Sequence, residues 1–305
     1  MLSLSNVAQV GKNPLMNINW ELVSHCQFNC SYCYFKPHKS STDYSTVAKL
    51  VLKKLQTIPE KFKITLIGGE PSLHPDFHHL IGELHQIENS QSIAIVTNFE
   101  KPLTFWTNLL EYKDKVKLVI SLHVEYPQDF LIEKIQELQN SFKIDLVFNV
   151  HPDLKYLPRM KELANLLDSL TNENVVTSFM RLHKVEQKSE EYFNYPEDIE
   201  LFFEEQNKKL QKKNRFETVA VLQDGQWQQI PKFAFVDQRA NSFEGWNCEL
   251  KAFIIHYDGH VSLPCRNEKK HILTTDFRGK DLICPHRLCV CDDYWEFPKT
   301  KRESL

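Results

Sequence analysis

Between Asn17 and about His183 the sequence alternates short strand-like segments with longer helix-like ones, and few folds accept that rhythm. Residues 18–23, 64–67, 92–96, 117–122, 145–150 and 175–182 are rich in Val, Ile and Phe, whose branched or flat side chains suit a pleated surface. In the intervals apolar residues recur at helical spacing: Val47, Leu50, Val51 and Leu55; Phe77, Leu80, Ile81 and Leu84; Phe130, Leu131, Ile135 and Leu138; Met160, Leu163 and Leu167. Successive strand–helix units predict a parallel sheet joined by right-handed crossovers. Six such units are too few to close an eight-stranded barrel. The expected fold is therefore α/β, a partial and open (β/α)6 barrel.

A further helix is expected over Glu197–Lys212, where Glu204 with Lys208 and Glu205 with Lys209 have the favourable helical spacing and order. That makes the basic run 208–215 a solvated helix end rather than a nucleic-acid patch. Beyond it the texture changes. Residues 216–229, with Asp224-Gly225, and residues 253–263, with Asp258-Gly259, read as hairpins. The stretch after them carries cysteines and prolines but little periodicity. Two domains are expected: a barrel over residues 1–213, and a small α+β cysteine-rich domain over residues 214–305.

A chain of 305 residues, 42% hydrophobic and 25% charged, can bury a sizeable core. Its formal charge of −3 makes no case for a nucleic-acid or acidic-lipid partner. No apolar run approaches the roughly 20 residues that span a bilayer. Residues 1–12 lack the apolar core of a signal peptide. A cytoplasmic protein with no membrane partner is expected.

Eight cysteines fall into two groups separated by more than two hundred residues that contain none. In a reducing compartment such grouping points to metal or redox chemistry rather than disulfides. Cys26, Cys30 and Cys33 directly follow the first strand. Three thiolates in a short loop can ligate three irons of a 4Fe–4S cluster and leave the fourth iron open. Structural zinc would take four protein ligands, and only His25 and His38 lie near enough in sequence to supply the fourth. Gly68-Gly69-Glu70-Pro71 directly follows the second strand. Its glycines allow a tight bend and a close approach, and its glutamate offers a carboxylate to an ammonium group.

The C-x3-C-x2-C loop, the aromatic Tyr32 before its third cysteine and the GGEP segment together resemble the radical S-adenosylmethionine (radical SAM) superfamily over roughly residues 15–185. The resemblance implies a partial (β/α)6 barrel whose open iron binds the amino and carboxylate groups of S-adenosylmethionine. It implies that Gly68, Gly69, Glu70 and Pro71 contact the methionine amino group and that backbone beside Tyr32 contacts the adenine. An electron from a low-potential donor such as flavodoxin or ferredoxin would then cleave the sulfonium. The resulting 5′-deoxyadenosyl radical would take a hydrogen atom from substrate.

Parallel barrels keep their chemistry at the carboxyl ends of the strands. There the sequence places Asn98, Ser121 with His123, Asn149 with His151, and Arg181 with His183. The resemblance makes Asn98, Ser121 and Asn149 contacts of the cofactor. His123, His151, Arg181 and His183 are candidate proton acceptors or substrate contacts, although a lone histidine is more often a structural hydrogen-bonder.

The second group is Cys248, Cys265, Cys284, Cys289 and Cys291, one more than a tetrahedral zinc or a 4Fe–4S cluster needs. A cysteine before a hairpin, another after it and further ones downstream look like the auxiliary-cluster extensions called SPASM and twitch domains, nearer the shorter twitch form. A second 4Fe–4S cluster is expected, with one of Cys289 and Cys291 not ligating. Within this resemblance the substrate is a small sugar- or nucleotide-like molecule, or alternatively a peptide. A function from another class is a non-catalytic zinc-binding interaction protein. A colourless preparation with no affinity for S-adenosylmethionine would mark that case.

Overall fold

The computed structural model describes residues 7–12, 15–128, 130–170, 173–182, 184, 193–212, 218–238, 240–266, 268–289 and 295–301. The first half of the chain runs β1 (Val7–Val10), β2 (Met16–Val23), α1 (Tyr44–Leu55), β3 (Phe62–Gly68), α2 (Phe77–Gln86), β4 (Ser90–Thr97), α3 (Leu103–Thr107), β5 (Val116–Leu122), α4 (Leu131–Leu138) and β6 (Lys143–Val150). There follow α5 (Leu157–Asp168), β7 (Val175–Arg181), α6 (Glu197–Lys212), β8 (Thr218–Gln223), β9 (Gln226–Pro231), α7 (Lys232–Asp237) and β10 (Asn247–Leu250). The last strands are β11 (Ala252–Ile255), β12 (His260–Ser262), β13 (Lys269–His271), β14 (Lys280–Ile283) and β15 (Lys299–Thr300).

The six expected strands form as β2 to β7 and lie side by side in chain order, each parallel to the next. Their alternation sets two faces. Along β5, Val116, Leu118, Ile120 and Leu122 are buried, while Lys117, Val119 and Ser121 between them are half-buried. The buried rows pack on the apolar stripes of the helices, such as Ala48, Val51, Leu52 and Leu55 of α1. Asp43 starts that helix by accepting the Thr46 amide at 3.1 Å. Each fully buried Val or Leu in this core contributes roughly 1.5–3 kcal/mol.

The opposite face carries the sheet's polar side chains among apolar ones such as Val96, Val119 and Val147. It carries Asn17, Asn19 and Glu21 on β2, Lys63 and Thr65 on β3, Lys117 and Ser121 on β5, and Asp145 and Asn149 on β6. Lys117 and Asp145 form an ion pair across it.

The sheet continues past β2. Strand β11 pairs parallel with β2, and β12 and β13 extend the sheet antiparallel, giving nine strands in the order β13-β12-β11-β2-β3-β4-β5-β6-β7. Its two outer strands, β13 and β7, do not meet, so the sheet stays open. A second sheet of six strands runs β14-β10-β15-β1-β8-β9. Each sheet draws strands from both sides of residue 214. The β8–β9 hairpin turns through Asp224 and Gly225 at φ of 50° and 76°, the left-handed pair that a two-residue hairpin loop of type I′ requires. A separate apolar core, including Phe235, Phe243, Trp295 and Phe297, backs the second sheet. Among the described residues no helix is long and apolar enough to cross a membrane.

Candidate active site

The ends of β2 and β3 are drawn together by glycine. Gly69 donates its amide to Val23 O and Glu70 donates to His25 O, both at 2.9 Å. A Cβ on Gly69 would stand 1.9 Å from His25 O, and one on Gly68, at φ 127°, would stand 2.5 Å from Val23 O. The glycine pair is thus needed for one strand end to lie against the base of the cysteine loop. Pro71 then opens a single buried 3-10 turn, Pro71–Leu73.

Glu70 is only 1% exposed. Its carboxylate accepts the Ser72 amide at 3.1 Å, the Thr97 hydroxyl at 2.7 Å and the Asn98 amide at 2.8 Å. Burial pushes its carboxyl up, and these bonds oppose that rise. Glu70 therefore fixes the end of β4. From there Asn98 Nδ2 reaches Cys26 Sγ at 3.6 Å, and Asn98 Oδ1 accepts Gln27 Nε2 at 3.0 Å. The next residue, Phe99, sits at φ 59°, a costly conformation for a bulky side chain. Its amide is held by the Thr97 hydroxyl at 2.9 Å, and its ring stacks on Trp106.

The loop after β5 lies against the far side of the cysteine loop. His123 Nδ1 is 2.8 Å from the Tyr32 hydroxyl and 3.5 Å from Cys30 Sγ. Tyr126 stacks on Phe28 with centroids 4.0 Å apart and accepts the Asn29 amide. Glu125 accepts the Ser31 amide at 2.8 Å and the Ser31 hydroxyl, and meets His151 Nε2 at 3.0 Å. Gln128, fully buried, accepts the His123 amide and donates to Asn98 O at 3.3 Å. Of these partners, Glu125, Tyr126 and Gln128 carry no spacing signal in sequence.

Burial pushes the Cys26 thiol up to about 11, with the Glu70 and Cys33 charges adding to the rise. Cys30 is pushed up to about 12 by burial, then by Glu125, Cys33 and Cys26. Thiols that raise one another in this way need a cation among them to exist as thiolates. Burial also drives His123 down to about 4, so it is neutral near pH 7, and it raises the Tyr32 hydroxyl.

The other strand-end candidates divide. Ser121 and Asn149 are half-buried on the polar face. His151 is held on both sides: Nδ1 accepts the Asp153 amide at 3.0 Å, which leaves the proton on Nε2 facing Glu125. Arg181 makes two bonds of 2.6 Å to Glu200 of α6 and lies over the Phe203 and Tyr195 rings. Its guanidinium thus ties β7 to α6. His183 and Cys291 lie outside the described residues.

In the second sheet Cys248, Cys284 and Cys289 are buried within the apolar core beside Trp246, Trp295 and Phe297. Cys248 stands opposite Leu282 of β14 on one side and Lys299 of β15 on the other. Burial pushes the half-buried Cys265 thiol up to about 12, reinforced by the charges of Cys289, Cys284 and Cys248. The four thiols therefore share one neighbourhood. In neither group, among the described residues, do three His, Cys, Asp or Glu side chains close on a single metal ion.

Residues 20–146 match the family model described as the Radical SAM superfamily. The GTP 3',8-cyclase of Xanthomonas axonopodis pv. citri (strain 306) is 31% identical over 93 residues, 28% of this chain and 28% of that protein. The chain thus matches little more than a quarter of that relative's length. Streptococcus suis SuiB bound to S-adenosylmethionine superposes with a TM-score of 0.55 at 13% identity, covering 86% of this chain and 64% of SuiB. The anSMEcpe enzyme with bound AdoMet and the Cp18Cys peptide gives 0.53 at 14% identity, covering 81% and 73%. At such identities the likeness is one of fold.

Proposed function

We propose that this chain, whose residues 20–146 match the Radical SAM superfamily model, is a cytoplasmic radical SAM enzyme holding a 4Fe–4S cluster on Cys26, Cys30 and Cys33. The observation that carries this reading is the seating of the three-cysteine loop against the Gly68–Gly69 bend, two features that neither zinc binding nor a plain turn requires together. The donor set fits: three thiols on one loop, with Cys26 and Cys30 raised by burial and by neighbouring charges. With S-adenosylmethionine, such a cluster supplies a 5′-deoxyadenosyl radical that takes a hydrogen atom from substrate.

The chain's own residues orient and enclose. Segment 68–71 takes the methionine amino group, and Glu70, its carboxylate committed beneath, holds that segment and Asn98 in place. Backbone beside Tyr32 takes the adenine, and Asn98, Ser121 and Asn149 take ribose and carboxylate oxygens. Substrate lies on the polar face of the nine-stranded sheet. Its Asn, Ser, Lys and Asp side chains suit a hydroxyl-rich sugar- or nucleotide-like molecule. A peptide substrate is the second reading, favoured by the fold shared with anSMEcpe, which was seen with a bound peptide.

Cys248, Cys265, Cys284 and Cys289 hold a second, auxiliary 4Fe–4S cluster in a twitch-like domain. A flavodoxin or ferredoxin supplies electrons. Reconstituted protein incubated anaerobically with dithionite and S-adenosylmethionine should release 5′-deoxyadenosine, and Cys30→Ala should release none. Equal release from both would refute the assignment, as would a wild-type chain that releases none while carrying its iron.

A further inference from the structure

The cysteine loop has little structure of its own. Among the described residues, its one internal backbone hydrogen bond runs from Cys33 N to Cys30 O at 3.1 Å. It is held from outside, and at different places by different neighbours. Asn98 holds its start, at Cys26 and Gln27. Its middle is held by the Tyr126 hydroxyl at Asn29 and, at Ser31, by a carboxylate from 94 residues away.

We propose that Glu125 is the positioning residue that latches the middle of this loop to the sheet, so that Cys30 and Cys33 stand in place before any cluster is bound. The inference rests on the reading of those cysteines as cluster ligands. Glu125 takes the Ser31 amide on one oxygen and the Ser31 hydroxyl and His151 Nε2 on the other. Every one of these partners is a donor, because His151 Nδ1 already accepts from Asp153. Glu125 and His151 are 11% and 7% exposed at the side chain, so water does little to loosen the arrangement. His151 in turn directly follows β6, which makes the latch a chain of contacts from loop to loop to strand end. An ordinary surface pair would tolerate the isosteric amide. This one does not, since the amide NH2 of a glutamine must face an N–H or O–H donor.

Hydrogen–deuterium exchange of the full-length, cluster-free chain tests the latch. In Glu125→Gln, exchange over residues 27–34 should rise about ten- to a hundredfold, the loss expected for a charge-assisted bond. Residues 62–68 of β3 should keep wild-type rates, which also shows that the variant folds. Ser31→Ala, which keeps the backbone bond, should give a smaller rise in the same segment. Unchanged exchange over 27–34 in Glu125→Gln would overturn the proposal, and so would an equal rise throughout the sheet. Iron uptake by the wild-type chain is read separately: a chain that takes up none fails the proposed function, whatever the exchange shows of the latch.

Discussion

Glu70 illustrates how much a single side chain can hold. Replaced by alanine, it leaves the Thr97 hydroxyl and the Ser72 and Asn98 amides without an acceptor, each at a cost of about 1–3 kcal/mol when buried. Glu70→Ala should therefore melt on the order of 5–10 °C lower than wild type. An unchanged melting temperature would show that water replaces the carboxylate. His123 gives a pH dependence. Its folded value, driven to about 4 by burial, lies below its unfolded value of 6.5, so the folded chain binds fewer protons between those limits. Its contribution is complete above pH 6.5 and is lost as pH falls toward 4. Cluster-free wild type should lose stability through that window more steeply than His123→Asn, as read by thermal unfolding at stepped pH. Parallel curves would argue against a buried neutral imidazole. The cysteines, the glycine pair and the strand-end Asn98 were legible because each is marked by spacing or by position after a strand. Glu125, Tyr126 and Gln128 were not, because their partners lie far along the chain and chemistry alone does not single them out.

Strands of seven or eight residues announced themselves, and shorter ones did so only where a tight-turn signal joined two of them. Strands β2 to β7 carry enough Val, Ile and Phe to be read from composition, and their true ends differ from the expected ones by at most two residues. Both expected hairpins form, as β8–β9 and β11–β12. Helix α3 has five residues, too few to show a period. Strands β1, β13, β14 and β15 have two to four each, too few to show alternation, and their pairing is set by distant partners. Two glycines separate local from tertiary demands. Gly225 has open space around it and needs only its positive φ, so Gly225→Ala should cost about 1–2 kcal/mol. Gly69 meets backbone, which cannot step aside, so Gly69→Ala should cost on the order of 3 kcal/mol and lower iron uptake as well. Denaturant unfolding of the two variants side by side checks this, and a larger loss at Gly225 would contradict it.

At the scale of the whole molecule the first three thiols follow β2 of the nine-stranded sheet, Cys248, Cys284 and Cys289 belong to the core of the six-stranded one, and Cys265 lies between β12 and β13. Anaerobic reconstitution should give about eight irons per chain, falling to about four in Cys248→Ala, Cys265→Ala, Cys284→Ala or Cys289→Ala. About four irons with stoichiometric zinc in the wild type would remove the second cluster. Strand β1 joins β15 to β8 in the second sheet, so deleting residues 1–12 should cost the second group its iron and leave the first group's in place. Retention of all eight would show that β1 is dispensable. The pairing of β1 with β15 also puts a date on assembly. On a ribosome adding roughly 5–20 residues per second, Val10 waits about 15–60 s for Lys299 to be made. The frame around Cys26, Cys30 and Cys33 is almost wholly synthesised by then. Cys248, whose strand reaches β1 only through β15, cannot be housed until Lys299 has been made. The chain therefore matures in two steps, the seat of the first three cysteines before the seat of Cys248.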